Sequence, residues 1–332
     1  MNFILTSIMA PEILVGTGTW GHNYGTDQAR SQIAQLDKLD CRQIDSAALY
    51  PFTNPAVAET FLGEIGYEGI LVDTKAMWFD GGNNTLTVDA VRKSIAESLV
   101  RLKTEKVNIF YALGPDHVTP LKEQAAAFDA VYLEGKCAKT GICNFSPESF
   151  EEYLEICEEM GYVKPSVFQG QYNLLCRTYE TTLFPLLRKH GISFVAYSPL
   201  AGGMLTGKAT LSNNNPDALR GTRFEVSKDN IMGMAGRHWY DKPVFHDTIR
   251  NLDALCKSHE VDMIDASMRW VLNHSMLDGE LGDCVIVGPR SQHQLDAYAA
   301  AIHGGSLPQT LVEGINNLWK RVADDGAPIL VY

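Results

Sequence analysis

Short apolar runs alternate with longer amphipathic stretches along the chain. Runs rich in β-branched and aromatic residues predict strands, and apolar residues at helical spacing predict helices. Eight strands are predicted, at Glu12–Thr17, Cys41–Asp45, Ile70–Thr74, Val107–Leu113, Lys139–Cys143, Ser166–Gln171, Ile192–Tyr197 and Cys284–Val287. The predicted helices lie between and after them, at Asp27–Leu39, Pro55–Ile65, Val88–Leu102, Leu121–Leu133, Pro147–Met160, Leu183–Lys189, Phe245–His259, Met263–Asn273, Gln292–Ala301 and Pro308–Ala323.

The number of strand–helix units narrows the choice of fold. Eight parallel strands, each followed by a helix, predict an α/β protein with a (β/α)8 TIM barrel and extra C-terminal helices. A doubly wound open sheet shows the same alternation, but no GxGxxG motif with a following acidic residue succeeds an early strand. Because no low-complexity linker divides the chain, we expect one domain over residues 1–332.

One segment after the seventh predicted strand has little periodicity. It spans Ala201–Val244, and its most polar part contains Asn213–Pro216. Clusters of Asn, Gly and Pro mark loops, so we expect a long loop after strand seven. Long loops at that end of a barrel usually cover an active site rather than form a separate domain.

Composition and charge exclude several classes of protein. Of the 332 residues, 45% are hydrophobic and 20% are charged, which is enough apolar material for a large core and argues against disorder. Asp and Glu (40) outnumber Lys and Arg (28), so the net charge is −12 and no nucleic-acid partner is expected. No apolar run approaches the roughly 20 residues of a membrane span. Met1–Ala10 lacks the basic start of a secretory signal.

The seven cysteines are scattered, odd in number and without a CxxC pair. This pattern argues against a disulfide framework and a zinc site, and it is typical of a reducing compartment. The histidines lack paired spacing, so they add no metal site. We therefore expect a cytoplasmic protein with neither a metal nor a membrane partner.

Two neighbouring strand ends carry residues suited to proton transfer. In TIM barrels the active site forms at the C-terminal ends of the strands. Strand two ends at Asp45, with Tyr50 on the loop beyond it, and strand three leads into Lys75. An ammonium group beside a phenol favours the phenolate, so we expect Lys75 to lower the pKa of Tyr50 from about 10. With Asp45 orienting the lysine, the three form a candidate general-acid unit. The alternative is a structural ion pair beside an ordinary rim tyrosine.

Other strand ends favour the catalytic interpretation. Asn144 after strand five and Gln169 in strand six each offer a donor and an acceptor, which suits the carboxamide of a nicotinamide. Tyr197 ends strand seven and offers an aromatic face for a flat ring. Strand eight is followed by Gly288–Ser291, which opens a helix and includes Arg290, a combination suited to an anion.

Several segments at these strand ends match a known family, in order and over nearly the whole chain. They are Gly16–Gly21, Ile44–Tyr50, Asp73–Lys75, Tyr111–His117, Gly141–Phe145, Phe168–Asn173 and Pro199–Lys208. In these segments the chain resembles the aldo-keto reductase superfamily, and within it the aflatoxin-aldehyde reductase branch. Taken singly several of the motifs are weak, but together they are highly specific.

The resemblance implies a barrel that binds NADPH across its C-terminal mouth without a Rossmann domain. It implies reduction of a small-molecule aldehyde or ketone by hydride transfer, with Tyr50 giving the proton and Asp45 and Lys75 supporting it. The implied cofactor-binding residues are Cys143, Asn144, Gln169, Tyr197, Leu200, Gly202, Gly203, Lys208, Arg223, Arg290, Ser291 and Gln294. The implied substrate-binding residues are Trp20, Leu113, His117, Met234 and Arg237, of which Arg237 suits an anionic substrate. The oligomeric state stays open, with a homodimer as one alternative.

The sequence departs from the family pattern at one position that matters for the chemistry. Leu113 stands where the family's active-site histidine ends strand four, and a leucine neither polarises a carbonyl nor donates a proton. Loss of one such donor costs on the order of 10²–10³ in rate. His117 is a candidate replacement. Three smaller departures are Cys143 for a serine, Tyr298 for an adenine-contacting asparagine, and Met234 for a substrate-facing tyrosine.

Three functional hypotheses follow from the intact Asp45, Tyr50 and Lys75 and the altered position 113. The first is an NADPH-dependent reductase of a bulky, partly apolar carbonyl compound. The second keeps the barrel but catalyses a non-redox step such as dehydration or cyclisation, with Tyr50 as acid or base. The third is a cofactor-binding protein that has lost reductase activity.

Overall fold

The structure is a computed structural model that describes residues 9–22, 24–212, 215–227, 231–326 and 329–330. Its strands are β1 (Glu12–Gly16), β2 (Gln43–Asp45), β3 (Leu71–Lys75), β4 (Val107–Ala112), β5 (Cys137–Cys143), β6 (Val167–Gln171), β7 (Ser193–Tyr197) and β8 (Cys284–Val287). Its helices are α1 (Thr26–Ile33), α2 (Val57–Ile65), α3 (Val88–Leu102), α4 (Leu121–Leu133), α5 (Pro147–Met160), α6 (Tyr179–Thr182), α7 (Phe184–His190), α8 (Lys208–Leu211), α9 (Pro216–Leu219), α10 (Ile231–Tyr240), α11 (Pro243–Ser258), α12 (Met263–Asn273), α13 (Gln292–Ile302) and α14 (Gln309–Gly326). Residues 1–8 of the opening segment and residues 213–214 and 228–230 of the predicted loop lie outside the described residues.

The strands form a closed parallel barrel in the order β1 to β8. The ring closes where Glu12 of β1 pairs with Cys284 of β8 and Val15 pairs with Val287. At least one helix follows each strand, because parallel neighbours need a crossover connection. The (β/α)8 TIM barrel predicted from the alternation of elements is therefore confirmed.

The predicted elements differ from the structure mainly around short helices. The predicted helix Asp27–Leu39 is interrupted, because α1 ends at Ile33 and a separate 3₁₀ helix follows at Leu36–Leu39. The segment expected to be an irregular loop, Ala201–Val244, contains a 3₁₀ stretch and the helices α8, α9 and α10. α8 and α9 have four residues each, too few to show a helical period, and α10 carries glycines that weaken its helical pattern.

The core has two layers, one inside the barrel and one between the strands and the helices. The inner layer consists of Leu14, Ile109, Tyr111, Cys143, Val167, Val195, Cys284 and Ile286. Gly141 makes room for the largest of these side chains, since a Cβ added to it would lie 2.3 Å from Cδ1 of Tyr111. The inner layer therefore closes the barrel below its C-terminal mouth.

The C-terminal helices pack on the outside of the barrel. α13 lies against α12, and α14 lies against α11. α14 is amphipathic, with Leu311, Val312 and Ile315 buried and charged residues on its outer face. Across the described part of the chain, no helix is both long and apolar enough to cross a membrane.

Candidate active site

A buried ion pair joins the C-terminal ends of β2 and β3. Nζ of Lys75 lies 2.6 Å from Oδ1 of Asp45, and the two side chains are 0% and 3% exposed. The same ammonium donates to the carbonyl oxygen of Ser46 at 2.8 Å. Burial by itself lowers the pKa of Lys75, but the nearby Asp45 carboxylate reverses that effect and raises it above the usual value. Lys75 is therefore held as a cation at the mouth of the barrel.

Tyr50 lies over this pair, on the loop that follows β2. Nζ of Lys75 is 4.9 Å from the centroid of the Tyr50 ring. The sequence predicted a lowered tyrosine pKa, and that prediction was wrong for the net shift. Burial raises the pKa of Tyr50 to about 12, while Lys75 acts in the predicted, lowering direction and Asp45 opposes it. Desolvation of the phenolate thus outweighs the neighbouring ammonium.

Gln169 on β6 also contacts the ion pair. Its Nε2 donates to Oδ1 of Asp45 at 2.8 Å, the same oxygen that accepts from Lys75. Gln169 is predicted from the sequence to contact the cofactor carboxamide, and its bond to Asp45 is not predicted. An amide has two N–H groups and an acceptor oxygen, and within the described residues Oε1 of Gln169 has no hydrogen-bond partner. Gln169 therefore supports Asp45 and keeps polar atoms for a ligand.

Asn144 links the ends of β4, β5 and β7. Its Nδ2 donates to the carbonyl oxygen of Leu113 at 2.9 Å, and its Oδ1 accepts from the hydroxyl of Tyr197 at 2.9 Å. Asn144 and Ser198, each just beyond a strand end, have left-handed backbone conformations with φ of 61° and 56°. Such conformations cost non-glycine residues about 1–3 kcal/mol and cluster at functional sites.

Gly202, Gly203 and Arg223, which follow β7, lie close to Arg290, which follows β8. Gly202 and Gly203 have φ values of 64° and 106°, and a Cβ on Gly202 would lie 3.7 Å from Cδ of Arg223. Burial and the neighbouring charge of Arg290 lower the pKa of Arg223. No carboxylate among the described residues pairs with Arg223 or Arg290. Two unneutralised cations beside a glycine turn form an arrangement that attracts an anion.

The start of α13 is next to this cation pair. Ser291 caps the helix by accepting from the backbone N–H of Gln294, and Oε1 of Gln294 accepts from the backbone N–H of Arg290 at 2.7 Å. Nη1 of Arg290 donates to the carbonyl oxygen of Gly221 at 3.0 Å, which holds the guanidinium toward the β7 side. Burial raises the pKa of Tyr298 to about 12, and the charges of Arg290 and Arg223 lower it. Arg290, Ser291 and Gln294, which are predicted to bind the cofactor, thus lie together in one polar cluster.

Three other predicted site residues lie outside that cluster, one in the core and two at exposed positions. Trp20 is 1% exposed and donates its indole N–H to Gln32 at 2.8 Å, so it is part of the core. His117 is exposed on the loop after β4 and has no described contact with Tyr50, which leaves its role as a histidine replacement without structural support. Lys208 is exposed at the start of α8.

The remaining predicted site residues differ in how far they are exposed. Met234 is 50% exposed, and Leu113 and Leu200 are 9% and 8% exposed. Arg237 donates to the backbone oxygen of Glu225 at 2.5 Å. Cys143 is buried inside the barrel, where desolvation raises the pKa of its thiol well above the usual value.

Sequence reasoning missed a second buried carboxyl group below the ion pair. Asp73 is fully buried and accepts hydrogen bonds from Gln43 and Asn108 on the two neighbouring strands. The signal available in the sequence was its position two residues before Lys75, which places both side chains on the same face of β3.

Comparison with known proteins adds the family context of this geometry. The model of the "Aldo/keto reductase family" matches residues 12–320. The chain is 34% identical to an aldo-keto reductase of Pseudocercospora fijiensis over 88% of this chain and 98% of that protein. It is 34% identical to human aldo-keto reductase family 7 member A3, over 85% and 86%. It is also 31% identical to rat aflatoxin B1 aldehyde reductase member 2, over 96% and 87%.

Proposed function

The chain belongs to the aldo/keto reductase family, and on that basis we propose that it is an NADPH-dependent oxidoreductase that reduces an aldehyde or ketone. The observation that carries the proposal is the buried Asp45–Lys75 pair beneath the phenol of Tyr50. A buried cation beside a tyrosine at the mouth of a barrel is suited to general-acid catalysis.

Tyr50 is the proton donor in this proposal. Its pKa of about 12 keeps the phenol protonated at neutral pH, so the acid form is the resting form. As the proton leaves for the carbonyl oxygen, negative charge develops on Oη, and the Lys75 ammonium stabilises that charge more than it stabilises the neutral phenol. Lys75 therefore lowers the barrier even though the resting pKa is high.

Asp45 and Gln169 act as positioning residues. The carboxylate of Asp45 holds the Lys75 ammonium, and the amide of Gln169 holds the carboxylate. Side chains fixed at both ends keep the ammonium close to Tyr50 without reorganisation during the reaction.

The donor set around the mouth suits a phosphorylated dinucleotide. NADPH, when bound, supplies the hydride that reduces the carbonyl carbon. Arg223 and Arg290, beside the Gly202–Gly203 turn, would hold its phosphates, because the two cations lack carboxylate partners among the described residues. Ser291 and Gln294 border the same cluster at the adenosine end.

The nicotinamide end of the cofactor would lie over the strand ends. The free amide atoms of Gln169 and the second N–H of Asn144 suit its carboxamide, and Tyr197 offers a ring face. Leu200, Lys208 and Cys143 are included in the proposed cofactor site only because of the resemblance of their sequence segments to the family.

The rim of the mouth favours a substrate with an apolar body. Phe52 and Phe79 lie on the loops after β2 and β3, Val226 lies between α9 and α10, and Met234 lies on α10. These four residues are 43%, 58%, 85% and 50% exposed. Leu113 replaces a polar group by an apolar one at the end of β4. Exposed apolar side chains at a site mouth mark a surface that a ligand covers. We therefore infer a bulky aromatic or aliphatic carbonyl compound.

Leu113 also supports a second candidate function. Without a histidine at that position the site lacks one donor for a carbonyl oxygen, and Tyr50 alone can act as acid or base in dehydration or cyclisation. Turnover without any nicotinamide cofactor would indicate this non-redox function.

The first function is tested by carbonyl-dependent oxidation of NADPH. Purified protein is assayed against a panel of aromatic and aliphatic aldehydes and ketones, with parallel reactions that lack protein or carbonyl compound. The proposal expects oxidation with at least one member of the panel. Tight NADPH binding without oxidation of the cofactor by any member would instead favour a cofactor-binding protein.

A further inference from the structure

The barrel contains a second carboxyl group that the proposed reaction does not use. Asp73 lies two residues before Lys75 on β3, and its backbone pairs with that of Asp45 on β2. Its side chain is 0% exposed. Two carboxyl groups are thus in register on neighbouring strands, below Tyr50.

Among the residues that the structure describes, Asp73 has hydrogen-bond donors around it but no cation paired with it. Nε2 of Gln43 donates to Oδ2 at 2.5 Å, and Nδ2 of Asn108 and the backbone N–H of Ile109 donate to Oδ1 at 2.8 and 3.2 Å. Lys75 donates to Asp45 and Ser46 instead. A buried carboxylate without an ion-pair partner is costly, so the neutral form of Asp73 becomes accessible near neutral pH.

The charged and titratable groups around Asp73 come from several strands. They are Asp45 of β2, Lys75 of β3, Tyr111 of β4, Cys143 of β5 and Cys284 of β8, with Glu12 of β1, Lys139 of β5 and Asp283 beyond Cys284. Burial raises the pKa values of the phenol and of both thiols, so these groups stay neutral near pH 7. Burial and Asp45 raise the pKa of Asp73 to about 7, against the lowering effects of Gln43, Asn108 and Lys75.

We propose that Asp73 is a positioning residue for the proton transfer. The charge state of Asp73 sets the negative charge beneath the Asp45–Lys75 pair, and this charge in turn sets how readily Tyr50 gives up its proton. This inference rests on the proposed reductase function. When Asp73 is neutral, the site holds one carboxylate and one ammonium, and Tyr50 gives up its proton more readily. When Asp73 is ionised, a second negative charge opposes formation of the phenolate.

The test compares the wild type with Asp73→Asn, Asn108→Ala and Asp116→Asn. Asn fits the site of Asp73, because the amide of Gln43 can turn to accept from it. Asn108→Ala removes one donor from the carboxylate and should move its titration to higher pH. Asp116 is a matched buried carboxyl group outside the barrel, in a loop where hydrogen bonds from Thr119 and Leu86 outweigh its burial and lower its pKa to about 2.

The first readout is kcat for carbonyl reduction as a function of pH. For the wild type we expect a partial fall of ~3- to 10-fold as the pH rises through about 7, since one nearby charge shifts a partner by about one pKa unit. Asp73→Asn should abolish that step, Asn108→Ala should move it upward, and Asp116→Asn should leave its position unchanged. A step of the same size and position in Asp73→Asn would overturn the proposal.

The second readout is the melting temperature between about pH 5 and about pH 9, which needs no activity. The folded pKa of Asp73 lies above its unfolded value, so the folded chain binds the extra proton between the two values and the wild type loses stability as the pH rises to about 7, with no further loss above that. The difference in melting temperature between Asp73→Asn and the wild type should therefore grow from about pH 5 to about pH 7 and be level from there to about pH 9. A constant difference would overturn the inference even if the chain is a reductase. If no carbonyl compound is reduced, the proposed function fails and this readout still decides whether Asp73 titrates; if Asp73→Asn does not fold, Asp73→Ala is measured in its place.

Discussion

Gln169 donates its side-chain amide to Oδ1 of Asp45 at 2.8 Å, the oxygen that also holds the ammonium of Lys75. The bond spans the mouth of the barrel from β6 to β2. Because of this bond, Gln169, Asp45 and Lys75 form one connected hydrogen-bond network rather than an isolated ion pair. A hydrogen bond to a buried carboxylate is stronger than one between neutral groups.

Replacing Gln169 by leucine should affect both stability and catalysis. We expect a loss of about 1.5–3 kcal/mol in the free energy of unfolding, because a charged acceptor loses a buried donor. We also expect a lower kcat, since Asp45 holds Lys75 less firmly. Gln124→Leu is the matched control, because Gln124 is a buried glutamine on α4 that bonds only to loop carbonyls. Equal kcat losses in both variants would contradict the role given to Gln169.

Loss of the Lys75 ammonium should lower both stability and activity, and a second change at Asp45 should restore stability but not activity. Lys75→Met leaves a buried carboxylate without its cation, which costs about 3–5 kcal/mol of unfolding free energy. The double variant Asp45→Asn with Lys75→Met removes both charges and should regain much of that stability. Both variants should lack reductase activity, because in each of them Tyr50 has lost the cation that stabilises its phenolate. Chemical unfolding and steady-state kinetics on the same samples provide the measurement.

The sequence predicted the barrel well because buried parallel strands leave a clear trace. Each of the eight predicted strands overlaps an observed one, from Glu12–Gly16 to Cys284–Val287. Long amphipathic helices such as Val88–Leu102 were equally visible. Helices α8, α9 and α10 after β7 were missed because helices of this kind are stabilised by packing rather than by a sequence period, as where the hydroxyl of Tyr240 at the end of α10 accepts a hydrogen bond from Gln171 of the barrel.

The site was only partly predictable, because the pKa values of its groups depend on how deeply each side chain is buried. The residue types at the strand ends indicated which side chains meet, and Asp45 and Lys75 do meet. The pKa of Tyr50 went the other way because desolvation depends on how much of the barrel covers the phenol. The contacts of Asp73 with Gln43 and Asn108 depend on strand register, which the sequence does not state.

Leu113→His tests whether the missing histidine limits the reaction. The position is nearly buried and lies at the end of β4, beside Asn144. A histidine there should add a donor for the carbonyl oxygen and raise kcat by on the order of 10- to 10³-fold. Leu113→Met, which keeps the volume and the apolar character, should leave kcat within a few-fold of the wild type. An unchanged or lower kcat in Leu113→His would indicate that the site has no use for that donor.

Arg290 should select NADPH over NADH. Its guanidinium lies near Arg223 and Tyr298, without a carboxylate partner among the residues described. Arg290→Ala should lower the NADPH/NADH affinity ratio by roughly 10- to 100-fold, as loss of a charge-assisted contact to a phosphate does. The measurement is titration of both cofactors by fluorescence. The control is Arg250→Ala, an exposed arginine on α11, and an unchanged ratio in Arg290→Ala would show that other groups read the phosphate.

The most direct test of the account is the rate of carbonyl-dependent NADPH oxidation by Tyr50→Phe, measured beside the wild type and Tyr67→Phe. Tyr67 is a partly buried tyrosine whose hydroxyl donates to the backbone of Leu102, away from the site. We predict that Tyr50→Phe loses on the order of 10²–10⁴ in kcat while NADPH still binds, and that Tyr67→Phe keeps the wild-type rate. A wild-type rate in Tyr50→Phe would contradict the assignment of Tyr50 as the proton donor.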